Sequence, residues 1–280
     1  MTDARRAMHN GEDLGDLARR IRLHCLRMIH TGKSSHAGSC LSMADLLAVL
    51  YGRVLRVDAA RPDWPERDRF VQSKGHAAAA LYAALAEKGF FPKSWLETFY
   101  QNGSVLAGHV GHSNVPGVEV STGSLGHGLP LGCGMALAAK RDDRPYRVFV
   151  LLSEGDCDEG SNWEAMLFSG HHALDNLTAI VDYNKIQSIC RVTEVLDLEP
   201  FAAKWSACRW SVREIDGHNI SEIERTLSAV PFEPGKPSCV IAHTVKGRGV
   251  SYMEDTVLWH YRSPSEEDLQ KAFAELVEPL

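Results

Sequence analysis

The sequence predicts an α/β fold, a mostly parallel sheet with helices on both faces, and three observations carry that prediction. Two apolar runs, Arg147 to Ser153 and Leu177 to Tyr183, lack the polar alternation of a half-exposed strand and read as strands buried on both faces. Between them Trp163, Met166, Leu167, Gly170 and Leu174 recur at helical spacing, with Ser161 or Asn162 as the expected N-cap. A strand–helix–strand unit of this kind crosses over right-handed and makes its two strands parallel. The third observation is repetition of the pattern, because strand-like runs followed by a glycine turn and a helical segment also occur before and after the central unit. A chain of 280 residues, 44% hydrophobic and 24% charged, is large enough to bury a full core as one domain spanning 1–280.

Taken in order, Leu14 to Ile29 alternates apolar and basic positions at helical spacing and predicts the first helix. A glycine-flanked loop, Gly32 to Ser39, precedes a second helix expected from Ser42 to about Tyr51. Asp68 to His76 predicts a short strand and a glycine turn, leading into an alanine-rich helix from Ala77 to Lys88. Seven glycines between Gly103 and Gly128 mark a turn-rich region, after which Leu129 to Lys140 forms a helix of small residues. Beyond the central unit, strands are expected at Trp210 to Ile215 and Ser238 to Thr244, separated by a helix through Val230. A final amphipathic helix runs from Ser265 to Leu276, capped by Ser263 or Ser265.

Composition excludes several function classes. The net charge of −6 and the pI near 6.1 provide no basic field for nucleic acid. The seven cysteines contain no Cys-x-x-Cys pair and are odd in number, as expected of reduced thiols in a cytoplasmic protein. The charged first twenty residues lack a signal-peptide core, and no apolar run is long enough to span a membrane, so a soluble protein is expected.

The chemistry concentrates at the ends of the two central strands. Glu154 follows the first and Asn184 the second, so both are expected at the carboxyl edge of the sheet, where open α/β folds bind ligands. One carboxylate plus one amide oxygen suits Mg²⁺, which keeps its other positions for water and phosphate. The acidic loop Glu154, Asp156, Asp158, Glu159 reads equally as a solvated turn. The basic, glycine-rich run Val245 to Val250 is likewise open between an anion site and a flexible crossing.

The same stretch resembles the thiamine-diphosphate motif of the transketolase family, which begins Gly-Asp-Gly and ends about thirty residues later in Asn. Glu159-Gly160, Trp163-Glu164-Ala165 and Leu174-Asp175-Asn176-Leu177 carry the match, and they set Ser153-Glu154-Gly155 on the family's Gly-Asp-Gly. The resemblance therefore implies a divalent metal, Mg²⁺ or in its place Ca²⁺ or Mn²⁺, held by Glu154, Asn184 and the carbonyl of Ile186, with Glu replacing the usual Asp. Ser35-His36-Ala37-Gly38 and Asp68-Arg69-Phe70 to Gly75-His76 resemble two further family sequences, as do Gly108-His109, Ser121 to Gly128 and Trp259-His260. They imply catalytic roles for His36, His76, His109 and His260 on the thiazolium and substrate side. Cofactor contacts are implied from His76, Gly123, Ser124, Leu125, Gly155, Asp156, Asn184 and His260. Glu159 and Glu164 match glutamates at the family's subunit interface.

In that family a second domain grips the pyrimidine ring and supplies the glutamate that activates the cofactor. The 280 residues match only the diphosphate-binding half. The resemblance implies one subunit of a two-chain transketolase that moves a ketol unit from a ketose, as sugar or sugar phosphate, to an aldehyde. The expected partner is a separately encoded chain with the pyrimidine-binding domain, in an α2β2 assembly. The alternatives are the same half of another thiamine enzyme, a decarboxylase, dehydrogenase or specialised carboligase, or a catalytically silent binding protein of the same fold.

Overall fold

The computed structural model describes residues 12–277. Five strands form one sheet: β1 (Arg69–Gln72), β2 (Val148–Ser153), β3 (Leu177–Tyr183), β4 (Ser211–Asp216) and β5 (Ser238–His243). Their order across the sheet is β1-β2-β3-β5-β4, and every neighbouring pair is parallel. All carboxyl ends therefore lie along one edge. The expected parallel α/β fold is the observed one.

Both faces are covered, and the alternation of side chains shows how. Phe149, Leu151, Ile180, Val240 and Ala242 enter one core with the helices Leu14–Thr31, Ala78–Glu87 and Glu266–Val277. Their neighbours Val148, Val150, Leu152, Ala179, Val181 and Ile241 enter the other, with Gly128–Arg141, Gly160–His171 and Phe201–Ala207. With apolar residues required on both sides, the central strands β2 and β3 read as largely apolar runs, whereas the edge strand β4 carries exposed Arg213, Glu214 and Asp216. Every residue of β2 and β3 is buried.

Several boundaries differ from the sequence expectation for local reasons. The helix Gly160–His171 begins two residues earlier than a Ser161 cap allows and three earlier than an Asn162 cap allows, because Glu159 occupies the N-cap without a side-chain bond. Ser161 instead donates from its hydroxyl to the Gly126 carbonyl at 2.6 Å, and the Asn162 amide donates to the Asp156 carbonyl at 2.6 Å. The second helix starts at Ala37, five residues ahead of the expected Ser42, and is broken at Met43 before resuming as Ala44–Val49. Its residues are buried on all sides, so no amphipathic pattern marks its start. The last helix is capped by Ser265, whose hydroxyl accepts from the Asp268 amide at 3.1 Å while the Asp268 carboxylate accepts from the Ser265 amide at 2.9 Å.

Close packing of the helix Gly160–His171 depends on Gly170, where an added Cβ would stand 1.9 Å from the Cys208 carbonyl oxygen. Gly134 has open space around it. Urea unfolding should show Gly170→Ala losing at least about 2 kcal/mol by overpacking. Gly134→Ala should gain up to about 1 kcal/mol through helix propensity.

Candidate functional site

The strand ends, the turn after β1 and the segment after β5 surround a cavity of about 180 Å³. It is lined by His36, Ser39, Lys74, His76, Gly123, Leu125, Ser153, Glu154, Gly155, Asn184, Ile186, Gln187, Ser188, Lys246 and His260. Lys74 and His76 leave β1, Glu154 leaves β2 and Asn184 leaves β3, while Lys246 follows β5. The turn at Gly75 allows this gathering, since a Cβ there would lie 2.4 Å from the Thr122 carbonyl group.

At the floor, Asp182 is buried and accepts from Lys74 Nζ, Ser42 Oγ (2.6 Å) and Thr244 Oγ1. Glu154 is buried beside it, and its Oε2 has no hydrogen-bond partner among the described residues. Burial, reinforced by the Asp182 charge, pushes the Glu154 carboxyl up to about 8. The Asn184 side-chain oxygen accepts from the Ile186 amide at 3.2 Å, across a tight turn in which Lys185 takes φ 68°. Lys246 Nζ donates to the carbonyls of Ile186 (2.8 Å) and Gln187 (2.9 Å) and lies 3.0 Å from His260 Nδ1. Burial is the main cause that lowers this ammonium to about 8.

Above the floor the histidine rings converge on His36, whose centroid is 4.9 Å from His260, 5.1 Å from His76 and 5.8 Å from His109. His36 itself sits at φ 75°, and its amide donates to the His260 carbonyl at 2.7 Å. Burial lowers His36 to about 4 and His260 to about 3, and it takes His76 well below the usual histidine range. The His109 ring adds to this at His36, Lys246 at His260 and Lys74 at His76. At neutral pH these three rings are neutral.

Of the residues the sequence singles out, His36, His76, Gly123, Leu125, Glu154, Gly155, Asn184, Ile186 and His260 line this cavity. His109 reaches it through His36. Ser124 is exposed outside the lining. Asp156 requires correction: its carboxylate points into the protein, accepting from Ser73 Oγ (2.7 Å), the Gly126 amide (3.1 Å) and the Ser153 amide (2.9 Å). Fully engaged there, it braces the turn and does not line the cavity. Glu159 and Glu164 are exposed. Lys74, Ser39 and Asp182 belong to the site without having been expected there, and of the two readings left open for the run Val245 to Val250, Lys246 lines the cavity as an anion site would require. The only trace of Lys74 in the sequence is its position inside the Ser73-Lys74-Gly75-His76 turn.

Residues 15–276 match the family described as "Transketolase, thiamine diphosphate binding domain". The chain belongs to the transketolase family. It is 42% identical, over 94% of its length and 96% of the other protein's, to the 6-deoxy-6-sulfo-D-fructose transketolase subunit SqwG of Clostridium sp.. It is 41% identical, over 92% of its length and 91% of the other's, to an apulose-4-phosphate transketolase subunit of Phocaeicola vulgatus. The solved transketolase of Leishmania mexicana superposes with a TM-score of 0.89 at 31% identity, covering 96% of this chain and 42% of that one. Both the family and the fold that the motifs imply are thus the observed ones, and the matched domain is the one that binds thiamine diphosphate.

The depressed histidines make the ligand-free chain acid-sensitive. Below pH about 6.5 the unfolded chain takes up protons on His36, His76 and His260 that the folded chain refuses. The three histidines therefore lower stability as pH drops from about 6.5 toward 4, and protonation of Glu154, held up to about 8, offsets only part of that loss. Thermal scans should lose at least about 5 °C between pH 7 and pH 5. The loss should be smaller in His260→Gln.

Proposed function

We propose that this chain is the diphosphate-binding subunit of a thiamine-diphosphate-dependent transketolase, a transferase that moves a ketol unit from a ketose to an aldehyde acceptor. The observation that carries the proposal is the unpartnered buried oxygen of Glu154, set opposite Asn184 and beneath a ring of neutral histidines. A buried carboxylate without a partner is costly, and a divalent cation beside it would remove that cost. The donor set fits Mg²⁺, with Ca²⁺ or Mn²⁺ as substitutes, held by Glu154 and by the second lone pairs of the Asn184 side-chain oxygen and the Ile186 carbonyl, which already accept from the Ile186 amide and from Lys246.

When bound, thiamine diphosphate supplies the nucleophilic carbon that adds to the ketose carbonyl. The residues of this chain do the rest of the binding work. Lys246 and His76 face the position of the diphosphate, and Gly123, Leu125 and Gly155 let backbone approach it. His36, His109 and His260 orient the hydroxyls of the sugar or sugar phosphate. As neutral imidazoles, His36 and His260 can both donate and accept, which suits them to carry protons during cleavage and transfer.

The relatives that this chain matches over nearly their whole length are named as transketolase subunits, and the solved transketolases it resembles are more than twice as long. Both facts support a division of labour in which residues 1–280 form one diphosphate-binding domain and a separately encoded chain adds the pyrimidine-binding domain. Leu131, Leu167 and Phe168 are exposed on the helices Gly128–Arg141 and Gly160–His171, an apolar surface that fits an α2β2 assembly in the cytoplasm.

Ketol transfer from ketose phosphates and free ketoses should be absent with this chain alone and appear on adding the partner. Robust turnover by the isolated chain would overturn the split-subunit reading. Glu154→Ala in the complex should weaken Mg²⁺ binding by about 100-fold. Glu154→Asp should retain it.

A further inference from the structure

We propose that His218, which lies outside the cavity, is a positioning residue that sets Lys246 for the diphosphate. The proposal rests on the reading of Lys246 given above. His218 follows β4 and is held from two sides: its Nδ1 is 2.7 Å from Asp45 Oδ2, and its Nε2 accepts from the Val245 amide at 2.8 Å. Because a carboxylate can only accept and an amide N–H can only donate, both ring nitrogens have fixed roles. Nδ1 carries the proton and Nε2 is the acceptor, a single neutral tautomer.

Asp45 is locked in turn by Arg22, which approaches it with two prongs at 3.0 and 2.6 Å. The same Arg22 side chain passes under Gly249, where an added Cβ would be 3.3 Å from Arg22 Cδ. The loop from Val245 to Gly249 is thus held at one end by His218 and at the other by the arginine stem. Between them, the Gly247 amide donates to the Gly38 carbonyl at 3.0 Å, which ties the loop to the helix that follows His36.

Lys246 is the residue next to Val245. Its Nζ reaches three acceptors that sit at two separate loops, the Ile186 and Gln187 carbonyls and His260. A shift of the Val245 peptide would move the root of this side chain directly, while leaving the other cavity residues on their own strands. The chain Arg22–Asp45–His218–Val245 therefore carries a constraint from the first helix to one ammonium group in the site, without any member of it touching ligand.

The test uses the full-length chain, hydrogen exchange at residues 244–250, and calorimetric titration with magnesium diphosphate. His218→Phe, which keeps ring volume and removes both bonds, should speed exchange at Val245 and Lys246 and weaken diphosphate binding by about tenfold. His218→Gln, which can still donate to Asp45 and accept from Val245, should restore most of both. In a Lys246→Met background His218→Phe should cause no further loss of affinity. Should His218→Phe not fold, His218→Asn, which stays polar but is too short to bridge Asp45 and Val245, replaces it. Unchanged exchange at 244–250, or an affinity loss of equal size with and without Lys246, would refute the proposal. If the wild-type chain bound no diphosphate, the cofactor reading would fall, and the exchange arm alone would still decide whether His218 holds the loop.

Discussion

The site depends on one buried ion pair, that between Lys74 and Asp182. Asp182 sits near the end of the central strand β3, and its carboxylate collects Lys74 from the end of β1, Thr244 from the end of β5 and Ser42 from the helix Ala37–Ser42. Burial alone would raise this carboxyl, yet the Lys74 charge and the three donors hold it below its usual range. Two charges taken out of water repay their desolvation only where the geometry satisfies them, and loss of one partner leaves the other buried and uncompensated, at a cost of about 3–5 kcal/mol. The pair therefore fixes the spacing of three strand ends, and about half of the cavity residues, Lys74, His76, Asn184, Ile186 and Lys246 among them, follow one of those ends.

That arrangement leaves a definite imbalance. Lys74 is neutralised by Asp182, whereas the second cation, Lys246, bonds to carbonyls and a neutral imidazole, and the second carboxylate, Glu154, keeps an oxygen without a partner among the described residues. An anion beside Lys246 and a divalent cation beside Glu154 would satisfy both at once. Burial, reinforced by the two ammonium groups, keeps His36, His76 and His260 unprotonated. Neutral rings in contact with one another are the form able to exchange donor and acceptor roles with sugar hydroxyls.

Much of this is legible in the sequence, and the failures share a cause. The apolar run Leu177 to Tyr183 coincides with β3 at both ends because fully buried parallel strands leave no polar interruption, and the run for β2 differs by one residue. Glu154, Asn184 and the histidines stand out because strand ends and motif spacing are local properties. What sequence does not show is direction. Asp156 lies in the same acidic loop as Glu154, but its donors at Ser73 and Gly126 come from distant segments and turn it inward. Lys246 stands in a basic run with Arg248, and only the fold sends the lysine into the cavity while Arg248 pairs with Glu254 at 3.4 Å. His218 gives no signal beyond an Asp-Gly-His turn, because its partners Asp45 and Val245 are 173 and 27 residues away.

The central claim is that the Glu154 oxygen without a partner and Lys246, which pairs with no carboxylate among the described residues, are two halves of one metal–diphosphate site. The most direct measurement is a crystal structure of the complex with thiamine diphosphate and Mn²⁺, with the metal located by its anomalous scattering. The account predicts Mn²⁺ within bonding distance, roughly 2.0–2.3 Å, of Glu154, the Asn184 side-chain oxygen and the Ile186 carbonyl. It also places the diphosphate oxygens against Lys246 and His76. A metal peak on Asp156 or Asp158 instead, or a diphosphate held away from Lys246, would contradict it.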